Sequence, residues 1–166
     1  MWKLLKRSLK MGRLTDKGMN EEIPHSQSQS QLQSPNRSLH IRHLDCGSCN
    51  GCDWEMSALL NPVYDLQRFG FDFVASPRHA DILMCTGPLA TQLNQAATTT
   101  YEATPHPKLV IAVGDCAING GVFKQAYAAH SGVGEVLPVH VKIPGCPPTP
   151  EDMLKALQKL TEKDLA

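Results

Sequence analysis

Three apolar runs in this chain stop at a cysteine. "LHIRHL" ends at Asp45-Cys46, "KLVIAVG" runs into Asp115-Cys116, and "VLPVHVKIPG" runs into Cys146. Each run reads as a strand. A fourth run, "ADILMCTG", is apolar throughout, as expected of a strand buried on both faces of a parallel sheet. Strands that alternate with helical patterns argue for an α/β domain with a parallel sheet. In open α/β sheets the ligand site lies outside the carboxyl ends of the strands. Three distant cysteine-bearing segments are therefore expected to meet at one edge.

The intervening segments fit that plan. "WEMSALLNP" predicts a helix, "VYDLQRF" a second short one, and "FDFVAS" a strand ending at Ser-Pro. "LATQLNQAATTTYEA" predicts a helix and "GVFKQAYA" a short one. The last helix is well marked. Thr149 is its N-cap, Pro150 its first residue, and Glu151 and Asp152 lie in its first turn. Met153, Leu157 and Leu160 share one face, and Lys159 and Lys163 come late.

The folded part is expected over 39–166, preceded by a flexible N-terminal extension. Residues 1–14 carry five cations and no acid, with Trp2, Leu5 and Leu9 at helical spacing. This basic amphipathic segment suits an anionic membrane surface or a membrane-bound partner, or else is a frayed terminus. Residues 15–38 include "SQSQSQLQSP", a polar Ser/Gln-rich stretch that cannot bury a core and reads as a linker.

Composition excludes several classes. Net charge is zero and aromatics make up 5%, so neither a phosphate-seeking surface nor a base-stacking platform is expected, and no nucleic acid is assigned as partner. No apolar run approaches bilayer length. The basic start lacks the apolar stretch and small-residue cleavage site of a secretory signal, and no Arg-Arg pair occurs. A reducing compartment is therefore expected, where clustered cysteines are metal ligands or catalytic groups more often than disulfides. "GDCAINGG" has neither the Gly-Lys-Ser/Thr ending of a P-loop nor dinucleotide-site spacing, so nucleotide binding there is rejected.

The six cysteines are 46, 49, 52, 85, 116 and 146. Cys49 and Cys52 form a Cys-x-x-Cys pair able to serve one metal or neighbouring irons of one cluster. Cys116 and Cys146 add one sulfur each from separate loops, and nearby glycines let backbone N–H groups approach sulfur. Zinc ribbons bring two close pairs, and here there is one. A bacterial ferredoxin array needs a cysteine where Met56 stands. A single four-iron cluster held by the pair and two loop cysteines fits the spacing best. Zinc, thioredoxin-like redox chemistry and inert core thiols are the competing readings. The core reading suits Cys85, inside "DILMCTG".

"CNGCDWEM", "SPRHADILMCTGP", "GDCAINGGVF" and "IPGCPPTPEDML" together resemble the complex I 20-kDa subunit family, related to the small subunits of nickel–iron hydrogenases. The resemblance spans about Leu39 to Leu160. It implies a flavodoxin-like sheet with helices on both faces and one [4Fe-4S] cluster on Cys49, Cys52, Cys116 and Cys146. It also implies a large catalytic partner subunit packed against the cluster, of the hydrogenase or complex I 49-kDa type, with other iron–sulfur and membrane subunits around it. Complex I members typically place two adjacent cysteines before Ala-Val-Glu-Met. The Cys49-Asn-Gly-Cys52 form is similar to membrane-bound energy-converting hydrogenases and formate hydrogenlyase. The implied function is therefore electron relay in a membrane-associated [NiFe] hydrogenase, peripheral on the cytoplasmic face. A complex I-like NADH or ferredoxin:quinone oxidoreductase and a metal-stabilised structural module are the alternatives. The hydrogen chemistry would lie in the partner, so the chain alone is not expected to be active.

Three further residues are candidates. Cys46 departs from the four-ligand set and reads as a thiol standing behind it, or else as an alternate ligand. Glu55, one helical turn from Cys52, is a proton-relay or partner-contact candidate, or a carboxylate complementing a helix start. His79 in "PRHAD" would tune the cluster or exchange a proton, or join a loop ion pair with Asp81. His40, His43 and His140 read as structural histidines.

Overall fold

The computed structural model describes residues 38–162. The basic segment, nearly all of the Ser/Gln-rich stretch and Lys163 lie outside the described residues. Five strands form one parallel sheet: β1 (Leu39–Asp45), β2 (Phe71–Phe73), β3 (Ile82–Thr86), β4 (Leu109–Val113) and β5 (Val141–Ile143). Their spatial order is β2-β1-β3-β4-β5, with every pairing parallel. This is the flavodoxin-like order.

The two central strands carry the fold. "ILMCT" and "LVIAV" are buried at every position, because helices cover both faces. Alternation divides their side chains. Ile82, Met84, Leu109, Ile111 and Val113 pack with α1 (Gly51–Ala58) and the last helix on one face. Leu83, Cys85, Val110 and Ala112 pack on the other face with α2 (Asn94–Ala103) and α3 (Asp115–Asn119).

The last helix, α4 (Pro150–Glu162), begins where its caps predict. The Asp152 N–H donates to Thr149 Oγ1 at 3.2 Å, and the Thr149 hydroxyl donates back to Asp152 Oδ2 at 2.7 Å. Met153 and Leu157 are fully buried in the core, with Leu160 packed against it.

Several expected elements are shorter or start elsewhere. Residues 63–69 hold a 3₁₀ turn, Leu66–Phe69, between left-handed Asp65 and Gly70. Residues 121–128 hold only Gly121–Phe123, since Gly120 and Gly121 both take positive φ. The strand expected over 136–146 is confined to Val141–Ile143. Helix α1 starts at Gly51 rather than near Trp54, with Asn50 left-handed at its entrance and accepting from the Trp54 N–H at 3.0 Å. Cys52 is thereby placed in a helix's first turn. Cys116 sits on α3, a five-residue helix that its short sequence does not announce.

Candidate metal centre at the carboxyl edge of the sheet

The loops after β1, β4 and β5 interlock. Asp45 Oδ1 accepts from the N–H groups of Gly47 at 2.9 Å and Ser48 at 2.8 Å, turning the chain just before Cys49. The Gly114 N–H donates to the Ile143 carbonyl at 2.8 Å, and the Asp115 N–H to the Gly145 carbonyl at 2.9 Å. The Gly145 N–H donates to Asp115 Oδ1 at 3.0 Å. The Cys116 and Cys146 loops are thus joined to one another. An ideal Cβ on Gly51 would lie 3.6 Å from Cys49 Sγ and 3.9 Å from Pro147, so the first loop touches the third.

Four thiols gather there. Burial pushes the Cys52 thiol up to about 11; the Asp53 carboxylate adds to that push, and so do Cys116, Cys49 and Cys146. Burial also raises Cys116, with Cys146 and Cys49 adding to it against a lowering hydrogen bond from the Val122 backbone. Cys49 and Cys146 are exposed and the other two half-buried, so the group opens outward. Among the described residues, no three His, Cys, Asp or Glu side chains are arranged to enclose one metal ion. A tetrahedral zinc needs four sulfurs within about 2.3 Å of one point. A four-iron cluster takes each thiolate on a different iron and so accepts a wider frame. An all-cysteine donor set, lined by a glycine that leaves room for sulfur at Gly114, fits such a cluster.

Cys46 keeps other company. It is fully buried, donates to the Leu44 carbonyl at 3.6 Å, and packs in the apolar cluster that holds Cys85. A hydrogen bond with Cys46, then burial, pushes the Cys85 thiol well up. Glu55 is half-buried on α1. His79 is exposed on the 3₁₀ turn Pro77–His79, before β3 begins. The five residues of β3, about 16 Å of strand, separate that end of the sheet from the cysteine edge. The structure therefore does not bring His79 to the thiols. His140 is a structural histidine, its Nδ1 accepting from the Val110 N–H at 2.9 Å.

A polar knot beside Cys52 escaped the sequence reading. The Thr86 hydroxyl donates to Asp53 Oδ1 at 2.7 Å, His43 Nε2 lies 3.0 Å from both, and the Ser48 hydroxyl donates to Asp53 Oδ2. Its sequence signal is faint: polar residues near the carboxyl ends of apolar strands, and an acid directly after the cysteine pair. Apolar side chains are exposed near the thiols. Trp54 is 75% exposed two residues beyond Cys52, and Val122, whose backbone hydrogen-bonds Cys116, is exposed as well; Tyr127 is exposed five residues further along the chain.

Residues 49–160 match the family described as NADH ubiquinone oxidoreductase, 20 Kd subunit. The chain belongs to that family. Its relatives are subunits of oxidoreductase complexes with differing reactions. The chain is 46% identical over 127 residues to the probable membrane-bound hydrogenase subunit mbhJ of Pyrococcus furiosus, covering 76% of each. It is also 46% identical to a subunit of the NADH-quinone oxidoreductase of Geobacter sp. over 112 residues, 68% of this chain and 65% of that one. A chain in the structure of the membrane-bound sulfane sulfur reductase, an archaeal respiratory membrane complex, superposes with a TM-score of 0.67 at 35% identity, over 84% of this chain and 75% of its own. No helix among the described residues is long and apolar enough to cross a membrane.

Proposed function

We propose that this chain is the electron-transfer small subunit of a membrane-associated, multisubunit [NiFe] hydrogenase of the energy-converting or formate hydrogenlyase type. The observation that carries the reading is the meeting of Cys49, Cys52, Cys116 and Cys146 from three strand ends. They are the proposed ligands of one [4Fe-4S] cluster, held by the unit spanning 39–166. When bound, the cluster supplies one-electron transfer. The residues around it hold the cage. Asp45 and Asp115 fix the loops, Gly114 leaves room for the Cys52 sulfur, and the Val122 N–H addresses Cys116.

Trp54, Val122 and Tyr127 form the surface proposed to receive the large catalytic subunit, which closes the exposed side of the site. The complex is proposed to sit peripherally on the cytoplasmic membrane face through its partners. Glu55, half-buried beside the site, remains a candidate for the partner contact.

The hydrogenase reading rests on the Cys49-Asn-Gly-Cys52 spacing and on the longer match to the hydrogenase subunit, 127 residues against 112 at equal identity. The equal identity also supports a complex I-like quinone reductase as the second reading. Anaerobic purification of the native complex through a tag on this chain, followed by metal analysis, separates the two. Iron with stoichiometric nickel supports the hydrogenase, iron without nickel the quinone reductase, and zinc overturns the cluster. Cys116→Ala and Cys146→Ala should each abolish the iron–sulfur paramagnetic signal while Cys85→Ala keeps it. A signal intact in both loop variants would refute the ligand set.

A further inference from the structure

Asp53 ties together three segments that are distant in sequence. It lies in the first turn of α1, beside Cys52. Its Oδ1 accepts from Thr86 at the end of β3 and lies 3.0 Å from His43 on β1. Its Oδ2 accepts from Ser48, in the loop that carries Cys49. The Thr86 hydroxyl donates to Asp53 Oδ1, and its oxygen also lies 3.0 Å from His43 Nε2, so the three side chains meet at one point. Thr86 is fully buried and the Asp53 side chain is 18% exposed, so water screens this carboxylate weakly.

The cysteine cage alone does not require this arrangement. The backbone bonds and Asp45 already shape the loop, and an uncharged residue at position 53 would leave them in place. What Asp53 adds is a negative charge, held in one geometry, one residue from a sulfur ligand.

We propose that Asp53, clamped by His43, Thr86 and Ser48, sets the reduction potential of the cluster by holding a fixed negative charge at its Cys52 corner. This rests on the cluster reading above. Reduction adds one electron and no atoms, so the site becomes more negative by one charge. Asp53 opposes that charge and holds the potential low. A low potential suits exchange with strongly reducing one-electron partners. His43 orients the carboxylate and is a positioning residue.

The test is an anaerobic redox titration of the purified native complex, with dithionite as the one-electron reductant and paramagnetic resonance as the readout. The signal of this cluster is identified by its loss in Cys116→Ala. Asp53→Asn keeps the size and an accepting oxygen but removes the charge. It should keep full iron content and shift the midpoint to more positive potential, so that a several-fold larger fraction is reduced at a fixed poise. Ser48→Ala and Thr86→Val keep the carboxylate and should leave the midpoint in place while lowering thermal stability. An Asp53→Asn midpoint equal to wild type at full iron overturns the proposal. So does an equal shift in Ser48→Ala and Thr86→Val, which would make the effect one of geometry. If Asp53→Asn holds no iron while Asp53→Glu does, the carboxylate serves assembly, and the assignment to potential falls. Absence of any iron–sulfur signal in the wild type is a separate result, and would refute the cluster reading itself.

Discussion

A Cβ added to Gly114 would stand 2.6 Å from the sulfur of Cys52. Real Cβ atoms essentially never come within 3.0 Å of such a neighbour, and the backbone there has φ +86°, where a side chain is already strained. The β4 strand can end against Cys52 only because residue 114 has no side chain.

Gly114→Ala should therefore lose bound iron as well as stability. Gly70 supplies the control, since it has a similar φ of +80° and nothing within 4 Å of the added atom. Gly70→Ala should cost about 1–2 kcal/mol of backbone strain and keep its iron. Iron per chain and melting temperature, measured on both variants, separate the two effects. Equal iron in both would show that the 2.6 Å contact relaxes without displacing Cys52.

Cluster assembly should depend steeply on pH. Ligand thiols must lose their protons to bind iron. Burial, Asp53 and the neighbouring thiols raise Cys52 to about 11, and burial with neighbouring thiols raises Cys116, so the empty site keeps these protons. Acid then favours the empty site. The yield of anaerobic reconstitution with iron and sulfide should fall as pH drops from about 8 to about 6, up to tenfold in affinity per pH unit for each proton released. The raised pKa also fixes the sign for the cluster-free fold. It keeps the Cys52 contribution below pH 9.0 and loses it as pH rises toward about 11. Visible absorbance follows the yield, and a pH-independent yield would contradict thiol ligation.

The core makes its own forecast. Met153, on α4, is fully buried in the core cluster on its face of the sheet and makes none of the hydrogen bonds that shape the cysteine loops. Met153→Ala should cost about 2–5 kcal/mol, read from denaturant unfolding, while iron content at low temperature stays at the wild-type level. Loss of iron before loss of fold would show that α4 and the cage are more tightly joined than the packing indicates.

What the sequence disclosed follows from how local each signal is. Strands β3 and β4 are legible because burial on both faces makes them apolar throughout. The start of α4 is legible because Thr149, Pro150 and Asp152 cap it within four residues. The convergence of Cys49, Cys52, Cys116 and Cys146 is legible because parallel strands deliver their ends to one edge. The Asp53 knot is not, because its partners come from β1, β3 and a loop, and Thr86 is 33 residues away. His43 accordingly reads as an ordinary structural histidine. His79 reads as a neighbour of the cluster through resemblance, while its place before β3 puts it at the other end of the sheet. The 3₁₀ turns at Leu66 and Gly121 depend on left-handed residues whose effect on longer apolar patterns cannot be seen from composition.

The exposed aromatic beside the pair bears on assembly. Trp54 shares a helix with Cys52 and Asp53, yet points its bulk to solvent, while Met56 on the same helix is buried. An apolar side chain that contributes little to the fold and stands next to an open cage is suited to a partner's pocket, where aromatic residues carry much of the binding energy. Trp54→Ser should change the stability of the isolated chain by no more than about 0.5 kcal/mol. It should weaken attachment of the large subunit by about 2 kcal/mol or more, which a tag on this chain reads as sub-stoichiometric recovery of the large subunit after dilution. Tyr127→Ser, between Cys116 and Cys146 in sequence, should act in the same direction. Full recovery of the large subunit with both variants would move the interface away from the cysteine edge and leave the cage open to solvent.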